Sequence, residues 1–482
     1  MSLDIAIIII YLVGINLVGY LTSRNNNVQD YFLGGKSLHW TIVCFSIVAT
    51  ETSTLTFISI PGLSYISGMG FLQVAFGYLA GRVIVAIFLL PKYFEGKFET
   101  VYQFIDERFG VSSKRVVSVV FHVTRVLADS VRLFATAIPI TVMIGWDYRL
   151  SILVIGIATF IYTYYGGLRS VIVVDAVQLF LYITCAVTGM YLITDMMGMS
   201  AFSVFHAIPA EKIQCIFTGF DKGWGELFGS YNLVTGIIGG GFLSLASHGT
   251  DHLIVQRVLS CKDVHAARKA MVMSGVCIIF QFALFLLFGL FIRELFNGAG
   301  FERGDDIIPH FIVNYLPAGY RGLMLAGIFA TAMSTLSSTI NSLSSSTFID
   351  ILDINRRAIS DKKKISISRM ITIFWTIIIV LISIFLENTT SSLVVIGLSI
   401  ASVTYGGMLG IFIMGRFIQD FSESAAISGM LLSIILNIWI AFFTQIFWLW
   451  YVTIGFFTAL IFGIVIDRLI YLFKKNPHGA GD

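Results

Sequence analysis

Ala49-Thr-Glu-Thr-Ser-Thr-Leu-Thr56 is a polar stretch set inside an otherwise apolar run from His39 to Gly68, with Ile42 to Val48 before it and Phe57 to Pro61 after it. Together the flanks are long enough to cross a bilayer, which takes about 20 mostly apolar residues. The run therefore reads as one membrane span broken at its middle. Backbone groups released from a helix at that depth persist only where they line a cavity or hold an ion, because each unsatisfied group in hydrocarbon costs several kcal/mol. Interrupted helices of this kind are how secondary transporters build substrate and ion sites.

The remainder of the chain supports a membrane reading. Of its 482 residues 57% are hydrophobic and 12% charged, about half the charged share of a soluble domain, and the mean hydropathy is +0.87. Thirteen apolar segments are long enough to span: 2–22, 39–66, 69–92, 113–144, 148–165, 169–197, 227–257, 264–296, 320–353, 363–386, 390–417, 423–444 and 446–473. These runs are too long for the alternating strands of about 10 residues that form outer-membrane barrels, so an all-α bundle of about 13 transmembrane helices is expected, filling one transporter domain over 1–482. The first run lacks a basic start and a small-residue cleavage site, so it is expected to remain as a span rather than act as a signal peptide.

Charge sorting sets the topology. Alternate loops, beginning with Arg24 and Lys36 and ending with the tail from Arg468, hold about 22 of the 31 Lys and Arg residues, and the side rich in them is the cytoplasmic one. The opposite loops hold Arg149, Lys212, Lys222, Arg293, Arg303 and Arg321. The N-terminus is thus expected outside and the C-terminus inside the cell's inner or plasma membrane. The basic residues are sorted by loop rather than gathered on a face, so nothing points to nucleic acid. Cys44, Cys185, Cys215, Cys261 and Cys277 have no metal-ligand spacing and read as packing residues. Nor is there a nucleotide-binding loop or a catalytic constellation, so neither ATP hydrolysis nor an enzyme is expected.

Polar residues at membrane depth discriminate further, because they are costly there. In the ninth span Thr331, Ser334, Thr335 and Ser338 recur at three- and four-residue spacing and share one helix face. Such a face either presents oxygens to a dehydrated sodium ion or packs closely against another helix. Asp175, five residues after Ser170, is a helix-end residue, a proton site or a cation ligand, and its depth favours a ligand, since hard cations select oxygen donors. In the fourth span Arg125, Asp129 and Arg132 share a face. They form either an internal ion-pair network or a set in which one arginine meets Glu51 or a substrate carboxylate. Gly239-Gly-Gly241 weakens the seventh span and is expected to supply a second break. The broken spans would then open two five-helix units, 39–197 and 227–417, the pattern of inverted-repeat transporters, with 2–22 in front and 423–473 as two closing spans.

Three stretches carry a family resemblance: Asp30-Tyr-Phe-Leu-Gly-Gly-Lys36, Gly249-Thr-Asp-His-Leu-Ile-Val-Gln-Arg257 and Ser334-Thr-Leu-Ser-Ser-Thr-Ile-Asn-Ser342. With the thirteen spans, they resemble the sodium/solute symporter family, whose members carry sugars, proline, sialic acid, vitamins, monocarboxylates and iodide. The resemblance implies a leucine-transporter-type fold and a shared sodium site. Matched here, that site comprises Ala49 and Thr52 with Thr331, Ser334 and Thr335, where Thr331 replaces a usual alanine. It also implies, for some members, a second sodium site, matched by Asp175, Ser337 and Ser338 with Ser334 shared.

The stretch from Ala49 to Pro61 looks most like the sialic acid branch, in which positions matching Ser53 and Thr56 hold the substrate carboxylate and an arginine matching Arg125 sits near. Glu51 stands where that branch has a hydroxyl residue, and Ala75 replaces a substrate-contacting glutamine. In the sugar branch a capping tyrosine and an asparagine align with Ser247 and Ser244. The expected activity is sodium-coupled symport by alternating access, with a small polar organic solute held by Glu51, Ser53, Thr56, Phe71 and Arg125. That solute is a sugar acid such as sialic acid, a sugar or polyol, or an amino or carboxylic acid. The rivals are a proton-coupled transporter of the same fold, an ion channel and a transporter-like sensor.

Overall fold

The apolar segments fold as helices because in hydrocarbon a helix satisfies every backbone group internally. A computed structural model describes residues 2–23, 27–220, 223–386 and 393–475. Arg24, Lys222, the first residues of segment 390–417 and the tail beyond 475 lie outside the described residues. The membrane helices in order are α1 (Ser2–Leu21), α2 (Trp40–Glu51), α3 (Thr54–Ser67), α4 (Met69–Glu95), α5 (Val111–Ile144), α6 (Tyr148–Met197) and α7 (Leu233–Gly249). They continue as α8 (His252–Leu259), α9 (Val264–Leu295), α10 (Tyr320–Ser346), α11 (Asp361–Phe385), α12 (Leu393–Phe417), α13 (Glu423–Phe443) and α14 (Trp450–Lys475). Among the described residues no strand forms, only an isolated bridge between Leu38 and Cys261.

Among the described residues ten helices are long and apolar enough to cross a membrane, and α2 with α3, bent by 65° at their junction, makes an eleventh. Helix α6 counts once there although it covers two of the expected segments. It is interrupted at Gly167, whose φ of 57° and ψ of −163° suit glycine alone. The pair α7 and α8 covers the expected segment 227–257, so each of the thirteen segments has a helical counterpart.

The second break does not fall at Gly239-Gly-Gly241, which lies within the continuous helix α7. Those glycines instead let α7 lie directly on α4. A Cβ on Gly240 would stand 2.8 Å from the Val74 carbonyl oxygen, and one on Gly77 would stand 2.1 Å from the Gly236 carbonyl oxygen. The discontinuity lies ten residues on, at Thr250 and Asp251, where the Asp251 side chain accepts from the Leu253 amide at 2.9 Å and starts α8. A capping aspartate starts a new helix here, whereas the glycines serve close approach between helices.

Helix α10 forms the centre: 94% of its most apolar window is buried, against 22% for α1 and 17% for α14 at the periphery. It packs against α1, α2, α3, α5 and α6. This placement explains why its hydroxyl-rich sequence survives at membrane depth, since protein rather than lipid surrounds it.

Candidate functional site

The α2–α3 break begins where the ladder changes register. Thr52 still donates to the Val48 carbonyl at 3.1 Å, but Ser53 donates to Glu51 at 3.1 Å instead of reaching back to Ala49. The Ala49 carbonyl thus loses its usual i+4 partner. Helix α3 restarts at Thr54 after Ser53 adopts extended geometry (φ −82°, ψ 169°). Two hydroxyl contacts stitch the break to α10: Thr54 Oγ1 with Thr331 Oγ1 at 2.9 Å, and Thr50 Oγ1 with Ser338 Oγ at 3.2 Å.

The hydroxyls on this face of α10 have their protons committed elsewhere. Thr331 donates to the Ile328 carbonyl at 2.9 Å and Thr335 to the Thr331 carbonyl at 3.2 Å. Ser334 donates to Asp175 Oδ1 at 2.7 Å, and Ser337 and Ser338 donate to the Ser334 carbonyl at 3.1 and 2.6 Å. A hydroxyl whose proton is engaged keeps its lone pairs for another donor or a cation. The oxygens of Ala49, Thr331, Ser334 and Thr335 therefore have the chemistry a hard monovalent cation selects. The Thr52 hydroxyl donates to Val48 at 2.8 Å and accepts from Gln281 at 2.5 Å, which leaves its carbonyl as the donor to such an ion.

Asp175 is fully buried in a cage that includes Ser46 (2.7 Å), Thr50 (3.4 Å) and Ser334 (2.7 Å). Into this cage comes Arg257, the last residue of the quoted Gly249–Arg257 stretch. Its Nη2 lies 3.1 Å from Asp175 Oδ2 and hydrogen-bonds Ser338, and its Nε donates to Ser46 at 2.9 Å. A protein-borne cation thus stands against Asp175 and Ser338. Neither Arg257 nor Ser46 was legible as a partner from local spacing, because each comes from a different helix.

A cavity of about 990 Å³ opens above the break. Glu51, Ser53, Thr56, Phe71 and Arg125 all line it, together with Tyr78, Arg132, Tyr231, Ser247, His248, Phe282, Tyr405 and Trp448. Residues of the segment from Phe301 to His310 also line it, among them the exposed Arg303 and Asp306. There burial raises the Asp305 carboxyl above its ordinary range. A much smaller void beneath joins Ser53 and Thr54 to Thr335.

The expected pairing of Glu51 with Arg125 or Arg132 is not formed. Glu51 pairs with Arg82 of α4, which also donates to Ser274 Oγ at 2.7 Å, and its other oxygen lies 3.6 Å from His248 Nε2. Arg125 is taken by the second break: its Nε donates to Asp251 Oδ2 at 2.9 Å, and its Nη2 reaches both Asp251 and Tyr405. Asp129 receives Arg132 at 2.9 Å and Thr339 at 2.6 Å and lies 3.7 Å from Arg125. Asp251 does two jobs with two oxygens, one capping α8 and one holding Arg125. Sequence reasoning missed Arg82 and Asp251, yet Arg82 carried a signal as an arginine inside an apolar span.

A profile of the sodium:solute symporter family matches residues 31–433. The sodium/sialic acid symporter NanT of Aliivibrio fischeri is 27% identical over 489 residues, covering 97% of this chain and 92% of its own. Sodium/glucose cotransporter 4 of Danio rerio is 27% identical, covering 90% of this chain and 71% of its own. Among solved structures, a Na+-coupled sialic acid symporter in a substrate-bound outward-open state superposes with a TM-score of 0.86 at 25% identity, over 97% of this chain and 98% of that one.

Proposed function

The chain belongs to the sodium:solute symporter family, and from that premise we propose that it imports a small polar organic solute with sodium by alternating access around the α2–α3 break. It is a multi-pass membrane protein of the leucine-transporter type that couples to sodium, and not an enzyme. The observation that carries the proposal is a break that releases the Ala49 carbonyl, is joined to the hydroxyl face of α10 through Thr50 and Thr54, and lines with Glu51, Ser53 and Thr56 a cavity wide enough for a solute.

In this reading sodium is held by the carbonyls of Ala49 and Thr52 with oxygens of Thr331, Ser334 and Thr335. It ties the broken span to α10 and so favours the state whose cavity accepts solute. The solute then meets Glu51, Ser53, Thr56 and Phe71 on the floor and wall, with Arg125 behind them. Loss of sodium loosens the break and frees the solute. Coupling is reciprocal: sodium raises solute affinity by the factor by which solute raises sodium affinity. Membrane potential adds about 2.3 kcal/mol per charge per 100 mV.

The exposed Arg303 and Asp306 line the cavity and lie in the loop that charge sorting puts on the side poor in Lys and Arg, which supports an outward-facing orientation with the N-terminus outside. A second sodium at Asp175, Ser337 and Ser338 would require Arg257 to withdraw. We therefore propose one sodium per solute while Arg257 stays in place. The two units 39–197 and 227–417, each opening on a broken span, remain the proposed repeats, with the second break now at Thr250 and Asp251.

The test is uptake by proteoliposomes with an inward sodium gradient compared with an equal potassium gradient, across sugars, polyols, amino acids, sialic acid and small carboxylates. Saturable uptake of one solute that requires sodium and shows counterflow is expected. Uptake driven by a pH gradient and indifferent to sodium would replace this reading with proton coupling. Flux that rises linearly without counterflow would replace it with a channel.

A further inference from the structure

The charges around the cavity say which solute it accepts. On its inner wall three arginines face three carboxylates, and each is engaged: Arg82 with Glu51, Arg125 with Asp251, and Arg132 with Asp129. Tyr405 donates its hydroxyl to Asp251 at 2.7 Å, which closes that pair further. A carboxylate-bearing solute would have to share each of these arginines with a carboxylate already paired to it, although Arg132 gives only its Nη1 to Asp129 and keeps an Nε without a hydrogen-bond partner among the described residues. Leaving one charge of a buried pair without its partner is strongly unfavourable.

What remains open is a mixed donor and acceptor pair. Glu51 gives one oxygen to Arg82, while its Oε1 receives no hydrogen bond among the described residues and its side chain stays 19% exposed to the cavity. Beside it His248, only 1% exposed, has Nδ1 at 2.9 Å from Ser247 Oγ, and its Nε2 is buried with no hydrogen-bond partner. The two open atoms are 3.6 Å apart, beyond a direct hydrogen bond. In the tautomer in which Nδ1 accepts from Ser247, the neutral ring carries its hydrogen on Nε2 and points a donor at a place where Oε1 offers an acceptor. A hydroxyl satisfies both, because it accepts and donates at one oxygen. A carboxylate would meet Glu51 with like charge, and an ammonium would oppose the Nε2 hydrogen.

An aromatic cluster in the lining suits a ring. Phe71 packs against Tyr231 with centroids 5.1 Å apart and against Phe282 at 5.5 Å, and all three line the cavity. Such faces cover the C–H side of a ring while its hydroxyls reach the polar floor.

We propose that the solute is a neutral polyhydroxylated ring, one hydroxyl of which bridges Glu51 Oε1 and His248 Nε2. This rests on the reading that the cavity is the transport site, and the test separates the two. Thermal stability of the purified full-length protein is measured in sodium and in potassium chloride at equal ionic strength. The probes are myo-inositol, D-galactose and D-glucose as neutral polyols, N-acetylneuraminate and lactate as carboxylates, and choline as a cation. Stabilisation by sodium alone reports the ion site, and a further shift by a probe reports the solute.

At least one polyol is expected to add a shift in sodium, with none from the carboxylates or choline. Deoxy analogues of that polyol then locate the bridging hydroxyl: its removal weakens half-saturation about tenfold or more in the native chain. In His248→Leu the same removal costs about threefold or less, because the partner is already gone. His248→Gln, which keeps a donor, restores the larger loss, and Glu51→Gln serves as the second arm if His248→Leu fails to fold. The proposal is overturned if a carboxylate or choline shifts stability while no polyol does, if no probe does, or if the deoxy penalty in His248→Leu, or in Glu51→Gln where that variant replaces it, equals that in the native chain. Loss of the sodium effect itself overturns the transport reading instead.

Discussion

Replacing Thr335 by valine tests the ion site with little change of shape, since valine substitutes a methyl for the hydroxyl. The Thr335 side chain is 5% exposed, donates only to the Thr331 carbonyl at 3.2 Å, and borders the small void shared with Ser53 and Thr54. A sodium ion there would lose one oxygen donor, and a hydrogen-bond-scale contact to a charge contributes about 1.5–3 kcal/mol. At 1.4 kcal/mol per factor of ten, the sodium concentration for half-maximal effect rises roughly 10- to 150-fold. The released Thr331 carbonyl keeps its helical bond, so stability in potassium should fall by no more than about 1 kcal/mol. The assay is a sodium titration of thermal stability at constant ionic strength, repeated as sodium-dependent uptake. An unchanged sodium midpoint in a folded variant would refute the assignment of this oxygen. An equal loss of stability in sodium and potassium would make the hydroxyl structural.

Other consequences follow from the packed charges and helix contacts. Arg82→Leu leaves Glu51 charged and unpaired and is expected to destabilise the protein by about 3–5 kcal/mol, with much of the loss recovered in Arg82→Leu/Glu51→Leu; thermal midpoints of the two variants decide it. Current and solute flux measured together should give one charge per neutral solute in the native chain. Arg257→Ala should be less stable in potassium yet gain more from sodium than the native chain does, as the place against Asp175 comes free. Gly77→Val should fail to fold, because its Cβ would lie 2.1 Å from the Gly236 carbonyl oxygen, whereas Gly14→Ala, with nothing within 4 Å, should be neutral in the same expression and stability assay.

The first break was legible because hydroxyls and a carboxylate in the middle of an apolar run have one economical explanation, a span that stops being helical. The second was misplaced because glycine has two uses in membranes. At 239–241 it permits α7 to touch α4, while the break ten residues later is made by a capping aspartate in a stretch that reads as the continuous end of the seventh span. The hydroxyl face of α10 followed from helical periodicity, which is local. Partners across helices did not: Arg82, Arg257 and Asp251 reach Glu51, Asp175 and Arg125 from elements far away in the chain. Periodicity fixes which residues share a face, and only the tertiary arrangement decides which faces meet.

One link between ion and solute emerges from those long-range pairs. Ser334 donates to Asp175 Oδ1 and also belongs to the proposed sodium ligands, while Asp175 holds Arg257, the residue at the end of α8. Asp251, at the start of the same short helix, holds Arg125 in the lining of the solute cavity. Helix α8 is thus clamped by one ion pair at each end, one leading to the sodium site and the other to the solute site. A cation joining the Ser334 oxygen polarises its O–H and strengthens the hydrogen bond to Asp175 Oδ1, and any response of Arg257 is carried along a rigid two-turn helix to Asp251. If α8 carries the coupling, Arg257→Lys should weaken the mutual enhancement of sodium and solute binding more than it weakens either affinity alone. The measurement is a pair of sodium titrations with and without solute, compared between the native chain and the variant. Equal coupling factors in the two would assign the communication to the α2–α3 break alone.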